Sequence, residues 1–189
     1  QRFLDKEELS SLFKAMKTSQ AHPAALRALR IQLLTGLRPG EVCKLQGKNI
    51  VEGAVSLLGA ETKSNRPLVL PLSITAHRLL QDASEPLGKT QFLMSTDRRY
   101  RKRLSLSAIE KCLGRLCISI GIPHTTPHDL RRTVATHLGA MKHNNDVIDA
   151  VLNHAPIGVT QRHYNHYEYM EEKVAAMRDV EELMTSLGL

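Results

Sequence analysis

Between Asn49 and Leu70 the apolar residues stop recurring at the three- and four-residue intervals that hold on either side of this stretch. Val51, Val55, Leu57, Leu68, Val69 and Leu70 are separated instead by Gly53, Gly59 and the pair Ser64-Asn65, the pattern of short antiparallel strands joined by turns. A helical chain interrupted by a few short strands implies an α+β fold, mostly α-helical with a small antiparallel β-sheet. The segment Glu61-Thr62-Lys63-Ser64-Asn65-Arg66 then forms a hairpin loop that exposes Lys63 and Arg66 together.

The flanking segments read as helices with identifiable ends. Asp5 and Glu8 make a capping pair ahead of Leu9, Leu12, Phe13 and Met16. A second helix opens at Pro23, runs through Leu26, Leu29, Leu33 and Leu34, and stops at Gly36, which takes the left-handed conformation at low cost. Pro39 starts a short third helix with Glu41, Val42 and Leu45, so Arg38 falls at a junction where Glu41 can brace it as an ion pair. Beyond the strands, Ser73 caps a helix whose Ile74, Leu79 and Leu80 are expected to face inward. Ser107 with Glu110 is expected to open the next, which carries Ile109, Leu113, Leu116, Cys117 and Ile120 and ends at Gly121.

In Thr125-Thr126-Pro127-His128-Asp129-Leu130-Arg131-Arg132-Thr133, Thr126 is the expected N-cap and Pro127 the first helical residue. His128 and Arg131 then share the first turn, near the positive end of the helix dipole, where an anion is favoured. That helix continues through Val134 and Leu138 to Gly139, and a short one with Val147, Ile148, Val151 and Leu152 leads into Asn153-His154. Thr160 is a candidate cap for one more helical turn near Tyr164. Met170, Val174, Met177, Val180, Met184 and Leu187 trace a final apolar stripe, which packs either on its own domain or on a neighbour.

The 189 residues, 42% of them hydrophobic, suffice for one domain with a proper core. A net charge of +7 and a pI near 9.5 favour a polyanionic partner. The run from Asp97 to Arg103 sets five cations, Arg98, Arg99, Arg101, Lys102 and Arg103, against one anion. It is either a solvated loop or a contact strip for a phosphate backbone, which asks only for a dense positive field. Cys43, Cys112 and Cys117 are odd in number and lack zinc spacing, so buried, reduced thiols and a cytoplasmic setting are expected. There is neither an apolar run of membrane-spanning length nor a signal-like start, so no membrane role is expected.

Taken in order, Arg38, Lys63, His128, Arg131, His154 and Tyr164 resemble the catalytic set of the tyrosine recombinase (phage integrase) family. The carrying pieces are Thr35-Gly36-Leu37-Arg38-Pro39-Gly40-Glu41 with Leu45, Thr62-Lys63, His128-Asp129-Leu130-Arg131-Arg132-Thr133, Leu152-Asn153-His154, and Thr160 to Tyr164. They span nearly the whole chain. Two departures stand out: Asn153 occupies a position where the family commonly has glycine, and the interval from His154 to Tyr164 is one residue longer than the commonest one. Tyr164 is the expected nucleophile, with Tyr167 the alternative.

These residue types suit the chemistry. A phosphodiester repels nucleophiles, and in-line displacement builds further charge on its non-bridging oxygens. Arg38 and Arg131, arriving from separate segments, can neutralise both oxygens. A tyrosine of pKa about 10 is ionised only about one part in a thousand at neutral pH, and His128 can accept its proton. The resemblance implies that Lys63 protonates the departing 5′-oxygen and that His154 holds a phosphate oxygen. It implies a 3′-phosphotyrosyl intermediate resolved by another 5′-hydroxyl, with no cofactor and no metal.

The resemblance further implies the family's DNA breaking-rejoining fold over residues 1–189, with N-terminal core-binding and arm domains lying outside this chain. The implied partners are double-stranded DNA at attachment sites, three further protomers in a synaptic tetramer, and accessory DNA-bending or directionality proteins. A monomer is expected without DNA, and the apolar stripe after Met170 is a candidate for exchange between protomers. Integration or excision of a prophage or genomic island is the expected role. A type IB topoisomerase, which relaxes supercoils by the same chemistry, and a non-catalytic DNA-binding regulator are the alternatives.

Overall fold

The computed structural model describes residues 2–84, 90–97, 99–154 and 168–189. Asp5 accepts from the amide of Glu8 at 2.8 Å and Glu8 returns a bond to the amide of Asp5, opening α1 (Lys6–Thr18) with the expected capping box. α2 (Pro23–Thr35) is apolar on nearly every side, with Ala25, Ala28, Leu29, Ile31, Leu33 and Leu34 all buried, which places it at the centre. It ends at Gly36, whose φ of 66° is the left-handed one the sequence anticipates. α3 (Pro39–Lys44) follows after the three-residue corner Gly36-Leu37-Arg38.

β1 (Ile50–Val51), β2 (Ala54–Leu57) and β3 (Leu68–Pro71) form an antiparallel sheet in the order β1-β2-β3. Glu52 and Gly53 both have positive φ, as a two-residue hairpin turn requires. The pairs Val55 with Leu70 and Leu57 with Leu68 face the core, while Val69, paired with Ser56, is partly exposed. The Lys63 loop joins β2 to β3 and contains a short 3-10 turn at Gly59–Glu61. Thr62 Oγ1 donates to the Arg66 carbonyl at 2.8 Å and cross-braces the loop.

The remaining helices are α4 (Ile74–Ser84), α5 (Leu106–Ile120), α6 (Pro127–Ala140), α7 (Asn145–Val151) and α8 (Met170–Ser186). α3, α4, α5, α6 and α8 all pack on α2. Among the described residues no helix is long and apolar enough to cross a membrane, and the three cysteines are free and buried.

Three expectations need correction. Ile74 is 66% exposed, because Ala76, Leu80 and Ala83 set the inner face of α4 and Ile74 lies on the opposite side. α5 is capped by Ser105, which accepts from the amide of Ala108, so the Ser107 box is not formed. Val174 is 52% exposed, and its place in the stripe is taken by Lys173, whose stem is buried while Nζ donates to the Val69 carbonyl at 3.1 Å. Of the two places left open for the stripe, the structure shows its own domain: Ala176, Met177, Val180 and Met184 are buried within the chain, where α8 packs on α2, α6, α7 and β3.

Candidate active site

The capped start of α6 fixes His128 and Arg131. Thr126 Oγ1 accepts from the Asp129 amide, and the Asp129 carboxylate accepts from both the amide and the hydroxyl of Thr126. Gln32, buried on α2, donates to the Pro127 carbonyl at 2.6 Å and so pins this helix start to the central helix. His128 is exposed, and its pKa is held below the ordinary histidine value by partial burial first, then by the charges of Arg131 and Arg132. The charge of Lys63 adds to the same effect, while Asp129, itself paired with Arg132 at 2.5 Å, opposes it. The neutral imidazole is therefore favoured, as a proton acceptor needs.

Arg38 sits at the N-cap of α3, braced as expected. Its Nη1 meets Glu41 Oε1 at 3.0 Å, and its backbone amide donates to Glu41 Oε2. Glu41 is only 3% exposed, so the arginine is held by a buried, doubly used carboxylate.

Arg131 is 4% exposed and close enough to Arg38 and Glu41 to feel the charge of each, with no ion pair of its own among the described residues. Its Nη1 donates to the Gly36 carbonyl at 2.7 Å and its Nη2 to the Leu152 carbonyl. Burial, followed by the neighbouring Arg38 charge and opposed by Glu41, brings its pKa down to about 10. A buried cation of this kind gains more than a solvated one from an arriving anion.

Three successive carbonyls after α7 each accept from a different arginine: Leu152 from Arg131, Asn153 from Arg38 at 3.3 Å, and His154 from Arg66 at 2.7 Å. The His154 ring is exposed, with Nδ1 2.9 Å from Asp149 Oδ1, which orients the other ring nitrogen outward. Asp149 was not singled out in the sequence, although its place five residues before His154 is a usable signal. Asn153 has a φ of 50°, which explains why glycine suits this position and why asparagine is tolerated there.

Arg38, Lys63 and His128, contributed by three different elements, line one cavity of about 680 Å³ with Thr126 and Arg103. A neighbouring cavity of about 560 Å³ shares Glu41, Lys44, Glu61 and Arg103 and adds Arg101 and Lys102. The basic strip reaches this place through backbone bonds: Leu93 donates to Leu45, just past α3, and Leu104 donates to Met94 at 2.6 Å. Arg99 is exposed and lines neither cavity. Arg66 is exposed on the hairpin with one donor turned inward to His154. Arg98, Tyr164 and Tyr167 lie outside the described residues, as does Thr160. Among the described residues no group of three or more His, Cys, Asp or Glu side chains is placed to hold a metal.

The chain is 32% identical over 184 residues to prophage integrase IntZ of Escherichia coli K12, a match covering 95% of this chain and 44% of that protein. It superposes on the XerH site-specific recombinase bound to difH substrate with a TM-score of 0.67 at 20% identity, over 93% of this chain and 52% of that one. The λ integrase catalytic core gives 0.65 at 22% identity, over 82% of this chain and 96% of that one. The fold is thus that of tyrosine recombinase catalytic domains, and the chain spans less than half the length of the prophage integrase it matches. A family model described as the phage integrase family matches residues 2–171, and the chain belongs to that family, the tyrosine recombinases.

Proposed function

We propose that residues 1–189 are the catalytic domain of a site-specific DNA recombinase that integrates or excises a mobile element such as a prophage or genomic island. The observation that carries this reading is the convergence of Arg38, Lys63 and His128 on one cavity, with the buried Arg131 close enough to Arg38 to feel its charge. Two guanidiniums, a histidine kept neutral and a lysine on a loop supply what phosphoryl transfer requires of a protein.

In the proposed reaction the Tyr164 phenol loses its proton to His128 and its oxygen bonds to the phosphorus. Arg38 and Arg131 draw charge from the non-bridging oxygens, and His154, oriented by Asp149, donates to one of them. The P–O5′ bond breaks with its electron pair passing to O5′, which takes a proton from Lys63. The 3′-phosphotyrosyl bond keeps the energy of the broken ester, so a different 5′-hydroxyl can reverse the step and join a new strand. Arg101, Lys102 and Arg103 extend the positive surface beside the cavity and suit the duplex backbone, with Arg66 and Arg98 further contacts, while Arg99 lies off that path. DNA is the proposed partner, four protomers the proposed synapse, and the cytoplasm the proposed compartment. The DNA-bound XerH neighbour supports the first of these.

Covalent trapping on nicked suicide duplexes pooled from DNA flanking the gene tests the reading. Adducts that vanish only in Tyr164→Phe support both the chemistry and the nucleophile. Loss only in Tyr167→Phe keeps the chemistry and moves the nucleophile. No adduct, from this chain or from a longer protein containing it, overturns the proposal.

A further inference from the structure

The Lys63 loop and the segment that ends in His154 are joined by a reciprocal pair of hydrogen bonds. Asn153 Nδ2 donates to the Arg66 carbonyl at 3.1 Å, and Arg66 Nη1 donates to the His154 carbonyl at 2.7 Å. The same Arg66 carbonyl accepts from Thr62 Oγ1, and the Arg66 amide donates back to Thr62 Oγ1 at 3.2 Å, so the bond from Asn153 meets the loop at its internal brace. Gly59 lets the loop close this tightly, since a Cβ there would stand 2.8 Å from the Asn65 carbonyl oxygen. Asn153 is 5% exposed and left-handed, a position where glycine satisfies the backbone equally well but brings no amide. The side chain therefore has a use beyond tolerating the turn.

We propose that the Asn153 carboxamide and the Arg66 guanidinium are positioning groups that latch the Lys63 loop to the His154 segment, setting the lysine where it protonates the departing 5′-oxygen. The inference rests on the recombinase reading for the role of Lys63. Neither latch residue touches the reacting atoms. Asn153 acts on the loop backbone, and Arg66, otherwise a candidate DNA contact, acts by holding the loop and the His154 carbonyl together. The carbonyls of Leu152, Asn153 and His154 accept from arginines, and without the Arg66 bond the His154 carbonyl would have to be solvated.

Asn153→Gly removes the amide and keeps the backbone conformation, so it separates the latch from the turn. Two measurements decide the matter on the 189-residue chain. Hydrogen exchange reads the latch without requiring activity: in Asn153→Gly the amide of Arg66 exchanges faster while amides of α2 keep their protection. Single-turnover cleavage then compares duplexes with an ordinary 5′-bridging oxygen and with sulfur in its place. A thiolate, from a thiol of pKa about 8.5, departs without a general acid. The oxygen substrate is expected to slow on the order of ten- to a hundredfold, and the sulfur substrate to stay within about twofold of the unaltered chain. Arg66→Gln is expected to repeat the selective loss. Unchanged exchange at Arg66 overturns the latch, and equal slowing of both substrates overturns its link to the proton donor. An unaltered chain that shows the protected loop yet forms no adduct with either substrate sinks the recombinase reading, and with it the mechanistic half of this one.

Discussion

Arg131 Nη2 donates to the carbonyl of Leu152, 21 residues further along the chain, while Nη1 holds the carbonyl of Gly36 at 2.7 Å. One buried guanidinium thus joins the end of α2, the body of α6 and the end of α7, the three places from which the proposed phosphate ligands emerge. Lysine at this position carries the charge but cannot reach both carbonyls. We expect Arg131→Lys to leave one buried acceptor bare, at a cost of about 1–3 kcal/mol and about 2–4 °C of melting temperature for each kcal/mol. Cleavage well below the melting point should fall by about two orders of magnitude, because the missing fork is also a proposed ligand of the phosphate. A variant that melts and cleaves like the unaltered chain would show that neither bond matters.

Gly36 is the other end of that contact. A Cβ built there would lie 2.8 Å from Leu152 Cδ2 and 3.3 Å from Val134 Cγ1, and its φ of 66° is strained for any L side chain. Gly36→Ala combines a left-handed penalty of about 1–2 kcal/mol with displacement of the leucine whose carbonyl Arg131 holds. Thermal unfolding should show a loss at least that large, and adduct formation should fall alongside it. A loss below about 0.5 kcal/mol would mean that the junction relaxes freely.

The left-handed turn at Gly36, the Thr126 cap and the Glu41 brace were legible in the sequence because each is settled within four residues along the chain. The sheet was legible because a change of period is also local. The buried side of α4 was not, since it depends on which face of Ala76 and Leu80 meets α2. For the same reason Val174 reads as core, although it is Lys173, bonded to the Val69 carbonyl on β3, that is buried there. Within the site, the order of residue types pointed to Arg38, Lys63, His128, Arg131 and His154. The bonds that orient them, from Gln32 to Pro127 and from Asn153 to Arg66, cross 95 and 87 residues and leave no local pattern.

The lowered His128 pKa has two consequences of fixed sign. Because the folded chain resists protonation there, the unfolded chain binds the proton first as pH falls below about 6.5, and stability drops through that range down to the folded pKa. For the reaction, neutral His128 persists into mild acid, so the acid limb of single-turnover cleavage should lie below pH 6.5, the ordinary histidine value. Arg132→Gln removes a cation that depresses this pKa and frees Asp129 to raise it, so the limb should move to higher pH. A pH–rate profile that stays in place, or moves to lower pH, would remove His128 from the role of proton acceptor.

The basic strip divides by position: Arg101, Lys102 and Arg103 line the cavity beside the one that Arg38, Lys63 and His128 share, whereas Arg99 lines neither. If the duplex backbone follows these walls, each arginine that meets a phosphate contributes close to one released counterion. The slope of log affinity against log salt should then become shallower by about 0.9 per lost contact. Arg101→Gln with Arg103→Gln is expected to flatten the slope by nearly two and to weaken binding alike on all sequences, whereas Arg99→Gln should leave the slope within error. Fluorescence anisotropy on one duplex across a salt series measures all three. A slope changed as much by Arg99→Gln as by Arg101→Gln would mean that the strip acts only as a diffuse positive field, and that the path of the DNA does not run along the second cavity.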